Sequence, residues 1–146
     1  MRYFNTEGLC RPDEHYMVRL DDRLACIKNT LIDRKKYFVI NRGRQYGKTT
    51  TLKALAKYLS GDYVVLSLDF QQMGTEDFVD AATFAHAFAN ILIEKLEIKG
   101  LDDRKELMEP LMEVINRDSN SLKDLFIRLS RMCRNSAQPI VLMIDE

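Results

Sequence analysis

The chain has 146 residues, enough for one hydrophobic core, and its 46% hydrophobic and 30% charged content is that of an ordinary globular domain rather than a disordered or fibrous chain. With 22 basic and 22 acidic residues the formal net charge is zero, which gives no argument for nucleic acid or an anionic membrane surface. No apolar run approaches the roughly 20 residues of a membrane span, and the N-terminus lacks the apolar stretch of a secretory signal, so a cytoplasmic protein is expected.

Three widely spaced cysteines, Cys10, Cys26 and Cys133, suit buried or free thiols better than a disulfide framework or a zinc site. Leu20, Leu24, Ile27 and Leu31 recur at helical spacing, with Asp21 as N-cap, and predict a helix that ends near Asp33 to Lys36. Tyr37 to Ile40 is a short aromatic and β-branched run that predicts a buried strand. From Thr49 the pattern turns helical through Leu52, Leu55 and Leu59, with Gly61 as the stop.

Tyr63 to Leu68 predicts a second strand, ending at Asp69 and Phe70. Phe84, Phe88, Ile91 and Leu92 mark a helix reaching about Glu97 and closed by Gly100. Leu107, Leu111 and Ile115 mark another, which Pro110 either kinks or starts. Ser121 and Asp124 form a capping-box pattern ahead of Leu122, Leu125, Phe126, Leu129 and Cys133, read as one apolar helix face. Ile140 to Ile144 is a last apolar run ending in Asp145 and Glu146. Strands that alternate with helices and read as continuous apolar runs predict an α/β fold whose parallel sheet is covered on both faces.

The first strand leads into "RGRQYGKTT", residues 42–50. A helix opening with Gly47-Lys48-Thr49 turns backbone N–H groups and the positive end of its dipole toward an anion. In that arrangement Lys48 reaches the β- and γ-phosphates of a nucleotide and the Thr49 hydroxyl binds Mg²⁺. The usual spacing G-x-x-x-x-G-K-[ST] would need glycine at Arg42, and Gly43 stands one place late. Gly47, the glycine that admits the phosphate, is present, and a displaced first glycine alters the turn without removing the N–H cradle.

At the other end, "IVLMIDE" has the form of a Walker B strand. Asp145 would support Mg²⁺, and Glu146 would polarise the attacking water as a general base. Either motif alone has a bland reading, a loop entering a helix or a buried strand ending in solvated charges. Together in one chain they favour a nucleotide site.

The segments "YFVINRGRQYGKTTTLKAL", "VVLSLDF" and "VLMIDE" resemble the AAA-like ATPases of bacteria and archaea, in the branch related to Orc and STAND ATPases, some of which carry a PD-(D/E)xK nuclease-like domain after the ATPase. Loops of the form "RPRRFGK" occur there, with arginine in the place of Arg42 and proline in that of Gly43. The resemblance implies a P-loop NTPase fold, three-layer α/β/α with a mostly parallel sheet of the additional-strand class, spatial order 5-1-4-3-2. It implies that Gly43, Arg44, Gln45, Tyr46, Gly47, Lys48, Thr49 and Thr50 cradle the phosphates, with Thr49 and Asp145 on Mg²⁺ and Lys48 and Glu146 serving catalysis.

In that order a fourth strand lies between the first and third, and the resemblance puts it, the polar sensor, the arginine finger and the lid beyond residue 146. Residues 1–146 are therefore expected to be the N-terminal part of one ATPase domain, incomplete in this chain: an extension and helix over 1–36, then the nucleotide-binding core over 37–146. Such a fragment is expected to bind ATP weakly and hydrolyse it little.

Arg44 suits a phosphate or partner contact and Arg42 stays even between that and a surface charge. Asp69 acts either near Mg²⁺ or, on Asp preferences, as a turn or cap residue. His15 and Tyr16 either stack on the base or anchor a loop; His86 has no acid or cysteine nearby in sequence and reads as structural. Arg34-Lys35-Lys36 reads as a solvated helix end and gives no support to nucleic-acid binding.

ATP-driven conformational change is the expected function, with ATP and Mg²⁺ as ligands. No N-K-x-D tetrapeptide favours GTP. The alternative is a nucleotide-gated interaction module with little or no hydrolysis. Self-association and a downstream effector domain are the partner classes left open, and no membrane partner is expected.

Overall fold

The computed structural model describes residues 1–2, 13–14, 19–41 and 47–145, and the chain falls into two compact units, Met1–Gly61 and Asp62–Glu146. Among the described residues no helix is long and apolar enough to cross a membrane.

In the first unit, helix α1 (Asp21–Ile27) runs on into a π-helical turn, Lys28–Ile32. Asp21, expected as the N-cap, is instead the first helical residue behind Leu20, where it and Asp22 favour the positive end of the helix dipole. The Asp33 N–H donates to the Lys28 carbonyl at 2.8 Å, five residues back. That wider turn carries one extra residue, so the buried positions are Leu24 and Ile32 rather than a series ending on Leu31.

The run from Tyr37 to Ile40, expected as a buried strand, forms none. Tyr37 is 104% and Val39 88% exposed. A strand exists only as one side of a hydrogen-bonded ladder, and this run has no ladder partner among the described residues. Helix α2 (Lys48–Leu59) starts one residue before the expected Thr49 and buries Thr51, Leu55 and Leu59, a stripe with a period of four. Its C-cap is Ser60, and Gly61 does not take the left-handed conformation of a glycine stop.

The second unit is a mixed α/β arrangement. Strand β1 (Val64–Asp69) is followed by two 3₁₀ turns, Phe70–Gln72 and Thr75–Phe78, and then by helices α3 (Ala81–Ile98), α4 (Lys105–Ile115) and α5 (Leu122–Asn135), before strand β2 (Ile140–Asp145). The two strands pair in parallel with Val64 opposite Ile140 and Asp69 opposite Asp145. Parallel neighbours need a crossover, which the three helices supply.

Val64, Leu66 and Leu68 on one face of β1 join Ala85, Phe88, Leu92 and Leu96 of α3, Leu107, Leu111 and Val114 of α4, and Leu125 and Met132 of α5 in one core. Gly100 ends the α3 region at φ +66°, as expected of a glycine stop. Pro110 lies inside α4 and is buried; the helix starts before it, at Lys105. Ser121 and Asp124 form the expected capping box, each side chain accepting from the other's backbone N–H.

Two expectations of burial are corrected. The buried face of α5 is Leu125, Arg128 and Met132, while Phe126 is 60% exposed and Cys133 is exposed. Both stripes have helical spacing, and the long stems of Arg128 and Met132 fill the side turned to the core. The sheet is not covered on both faces: along β2, Leu142 is 41% and Ile144 49% exposed, though they share a face with the buried Leu66 and Leu68.

Candidate functional site

Of the expected phosphate loop, Gly47, Lys48, Thr49 and Thr50 are described, whereas Arg42, Gly43, Arg44, Gln45 and Tyr46 lie outside the described residues, as do Glu146, His15, Tyr16 and Cys10. Gly47 is the N-cap of α2 and sits in the left-handed region, φ 72° and ψ 27°. Residues with a Cβ seldom adopt that conformation, so glycine is what lets the chain turn directly into a helix at Lys48.

No side chain caps the helix, and its first turn, Lys48 to Thr50, carries no acid. Thr51 anchors the turn: its N–H donates to the Gly47 carbonyl at 2.9 Å and its hydroxyl to the same oxygen at 2.8 Å. The result is a helix N-terminus entered through a left-handed glycine, with no acid in its own first turn, the local form that suits an anion.

In the second unit, Asp145 is the last residue of β2 and is half-buried. Its ladder neighbour is Asp69, the last residue of β1. The Asp69 Oδ1 accepts the Gln71 N–H at 2.8 Å and caps the first 3₁₀ turn, so the turn-and-cap reading of this residue holds. The two acids stand together at the carboxyl ends of parallel strands, the edge at which open α/β sheets take ligands. Their adjacency follows from strand register, which no local pattern announces.

Other polar groups of this unit have structural partners. The His86 ring Nε2 is 2.7 Å from the Ile115 carbonyl and ties α3 to the end of α4, in keeping with a structural histidine. A shallow cleft of about 330 Å³ follows α3, lined by Gln72, Asp77, Thr83, His86 and Asn90 among others. Asn120, buried, donates to the Val114 carbonyl at 2.7 Å.

Between α4 and α5, Glu113 takes the Arg131 Nη2 at 2.6 Å and lies 3.3 Å from the Nε of buried Arg128, a charge contact outside hydrogen-bond geometry. The Arg131 hydrogen bond, ahead of the charges of both arginines, holds the Glu113 carboxyl below its ordinary range. This clamp escaped the sequence reading; Arg128 and Arg131, three apart on one helix, were the available signal. Cys26 and Cys133 are free thiols, and partial burial pushes the Cys133 thiol up. Among the described residues no group of three or more His, Cys, Asp or Glu side chains could enclose a metal.

No protein family, curated protein or solved structure matches this chain.

Proposed function

We propose that the chain binds ATP with Mg²⁺ in the manner of an AAA-like P-loop ATPase of the cytoplasm, and that hydrolysis drives a conformational change. The observation that carries this reading is the left-handed Gly47 that opens α2 directly at Lys48 and Thr49, the backbone form a phosphate-binding helix start requires. The parallel β1–β2 pair ending in Asp145 is compatible with the neighbouring second and third strands of the order 5-1-4-3-2.

In this reading Lys48 takes the β- and γ-phosphates, and the first-turn amides contribute with Gly43 to Thr50. Mg²⁺, when bound, screens the phosphate charge. By donor chemistry alone, Thr49 and Asp145 each carry a hard oxygen of the kind Mg²⁺ takes, and Mg²⁺ asks for only one or two carboxylates beside phosphate and water. Glu146 accepts the proton of the attacking water.

Equilibrium titration of the 146-residue chain and its Lys48→Ala form with a fluorescent ATP analogue tests the proposal. Loss of one charge-assisted phosphate contact, about 1.5–3 kcal/mol, should weaken binding roughly 10- to 100-fold. Equal affinity in the two forms, or none in either, would end the reading and leave a non-nucleotide adaptor. Glu146→Gln then separates hydrolysis from gating, since a hydrolase should trap ATP and a gated binder should not change.

A further inference from the structure

We infer that, independently of any nucleotide site, residues 34–39 of the first unit bind single-stranded nucleic acid, the cations taking phosphates and the aromatic rings taking bases. The chain's zero net charge hides a division: Met1–Gly61 carries 13 Lys and Arg against 6 Asp and Glu, whereas Asp62–Glu146 carries 9 against 16. With Arg42, Arg44 and Lys48 set aside for ATP, the first unit still holds ten cations against six acids. An excess of this kind draws a polyanion.

Local structure concentrates that charge. The Lys35 N–H donates to the Ile32 carbonyl and the Lys36 N–H to the Leu31 carbonyl, both at 2.9 Å, the paired bonds that end a helix through a left-handed residue. That residue is Lys35, φ 55°, the only non-glycine residue with positive φ among the described ones. Glycine or asparagine is usual there, so this lysine is kept against a backbone cost. Asp33, the acid of the turn, is paired with Lys28 at 3.1 Å, and Arg34, Lys35 and Lys36 have no carboxylate partner among the described residues. Past the turn the chain runs on without helix or strand, and apolar side chains lie open: Tyr37 104%, Val39 88%, Phe38 37%. The helix dipole accounts for cations at this end but not for the open rings. Cations beside exposed rings are what a single strand takes, since its phosphates need charge and its unpaired bases offer faces to stack. In a duplex those faces are already stacked on one another, so the rings favour the single strand.

Fluorescence anisotropy of a labelled oligothymidylate of about 12 nucleotides, titrated with the full 146-residue chain in the absence of ATP and Mg²⁺, is the test. The strand should bind at about 50 mM salt and more weakly as salt rises, and a duplex of equal length should bind less tightly. Tyr37→Ala, at a fully exposed side chain with no packing to lose, should weaken binding about fivefold or more, and Tyr37→Phe, which keeps the ring, should not. Lys35→Gly removes one charge and relieves the left-handed backbone. The slope of log affinity against log salt should then fall by roughly 0.7, while the urea midpoint holds or rises. No binding by the wild-type chain overturns the inference, as does equal affinity of Tyr37→Ala and wild type, an unchanged salt slope in Lys35→Gly, or a duplex bound as tightly as the single strand. None of these results bears on ATP binding, which is titrated separately.

Discussion

Removing Glu113 leaves the Arg128 guanidinium, 7% exposed at its side chain, without its counter-charge, whereas Glu113 itself is 46% open to water. Breaking a fully buried pair costs about 3–5 kcal/mol and an exposed one about 0–1 kcal/mol. With one partner buried and the other half in solvent, Glu113→Ala should destabilise the second unit by about 1–2 kcal/mol, water screening most of the stranded charge. Arg128→Met keeps the apolar stem, gives up one donation to the Asp124 carbonyl at 3.1 Å, and should cost about 1 kcal/mol or less. In the Arg128→Met background, Glu113→Ala loses only the Arg131 contact, an exposed pair worth about 0–1 kcal/mol. Urea unfolding followed by far-ultraviolet circular dichroism on the four forms gives the coupling energy, expected near 1 kcal/mol. Equal cost of Glu113→Ala in both backgrounds would refute the stranded-charge argument and assign the effect to helix propensity.

Gly47→Ala meets no atom of the described residues within 4 Å of the new Cβ, so the cost among them is that of the left-handed backbone, about 1–2 kcal/mol. Gly47→Asn should cost less, because asparagine tolerates that region, and indistinguishable denaturation midpoints for Ala and Asn would contradict the observed turn. Acid unfolding supplies another check. Asp124 is held below its ordinary 3.8 chiefly by the Ser121 N–H, and Glu113 below its ordinary 4.5 chiefly by Arg131. Because both folded values are depressed, their contribution is complete above the ordinary values and disappears as pH falls through the lower, folded ones. The unfolding midpoint should therefore hold level above about pH 5 and drop below it. Ser121→Ala should lower stability by about 1 kcal/mol at neutral pH but largely keep the acid drop, since the backbone N–H that chiefly holds Asp124 down remains; unchanged stability at neutral pH would count against the capping box.

Short-range chemistry was legible in the sequence where the cause is itself short-range. The Ser121–Asp124 box, the Gly100 stop and both paired strands appear where local pattern put them, because caps, glycine turns and β-branched runs act over a few residues. Tyr37 to Ile40 failed for the opposite reason: its apolar content matches a strand, but a strand also needs a partner that no local pattern reveals. On α5 two stripes were consistent with helical spacing, and only packing selects Arg128 and Met132 over Phe126 and Cys133. Gly47 and Lys48 at the start of α2, and separately Asp145 at the end of β2, stand at motif positions that a local pattern can name, whereas the opposition of Asp69 and Asp145 depends on the register of strands far apart in the chain.

The same ladder sets an order of events during folding. Val64 and its partner Ile140 are separated in the chain by the whole of α3, α4 and α5, so the sheet is a long-range closure whose loop entropy weighs against early pairing. The helices, joined by local contacts and short turns, can collapse first against one another and leave β1 with an unpaired edge in the meantime. Destabilising α4 or α5 should thus slow arrival of β2 more than changes within β2 itself, and lengthen the time during which Val64 to Leu68 is open to the wrong neighbour.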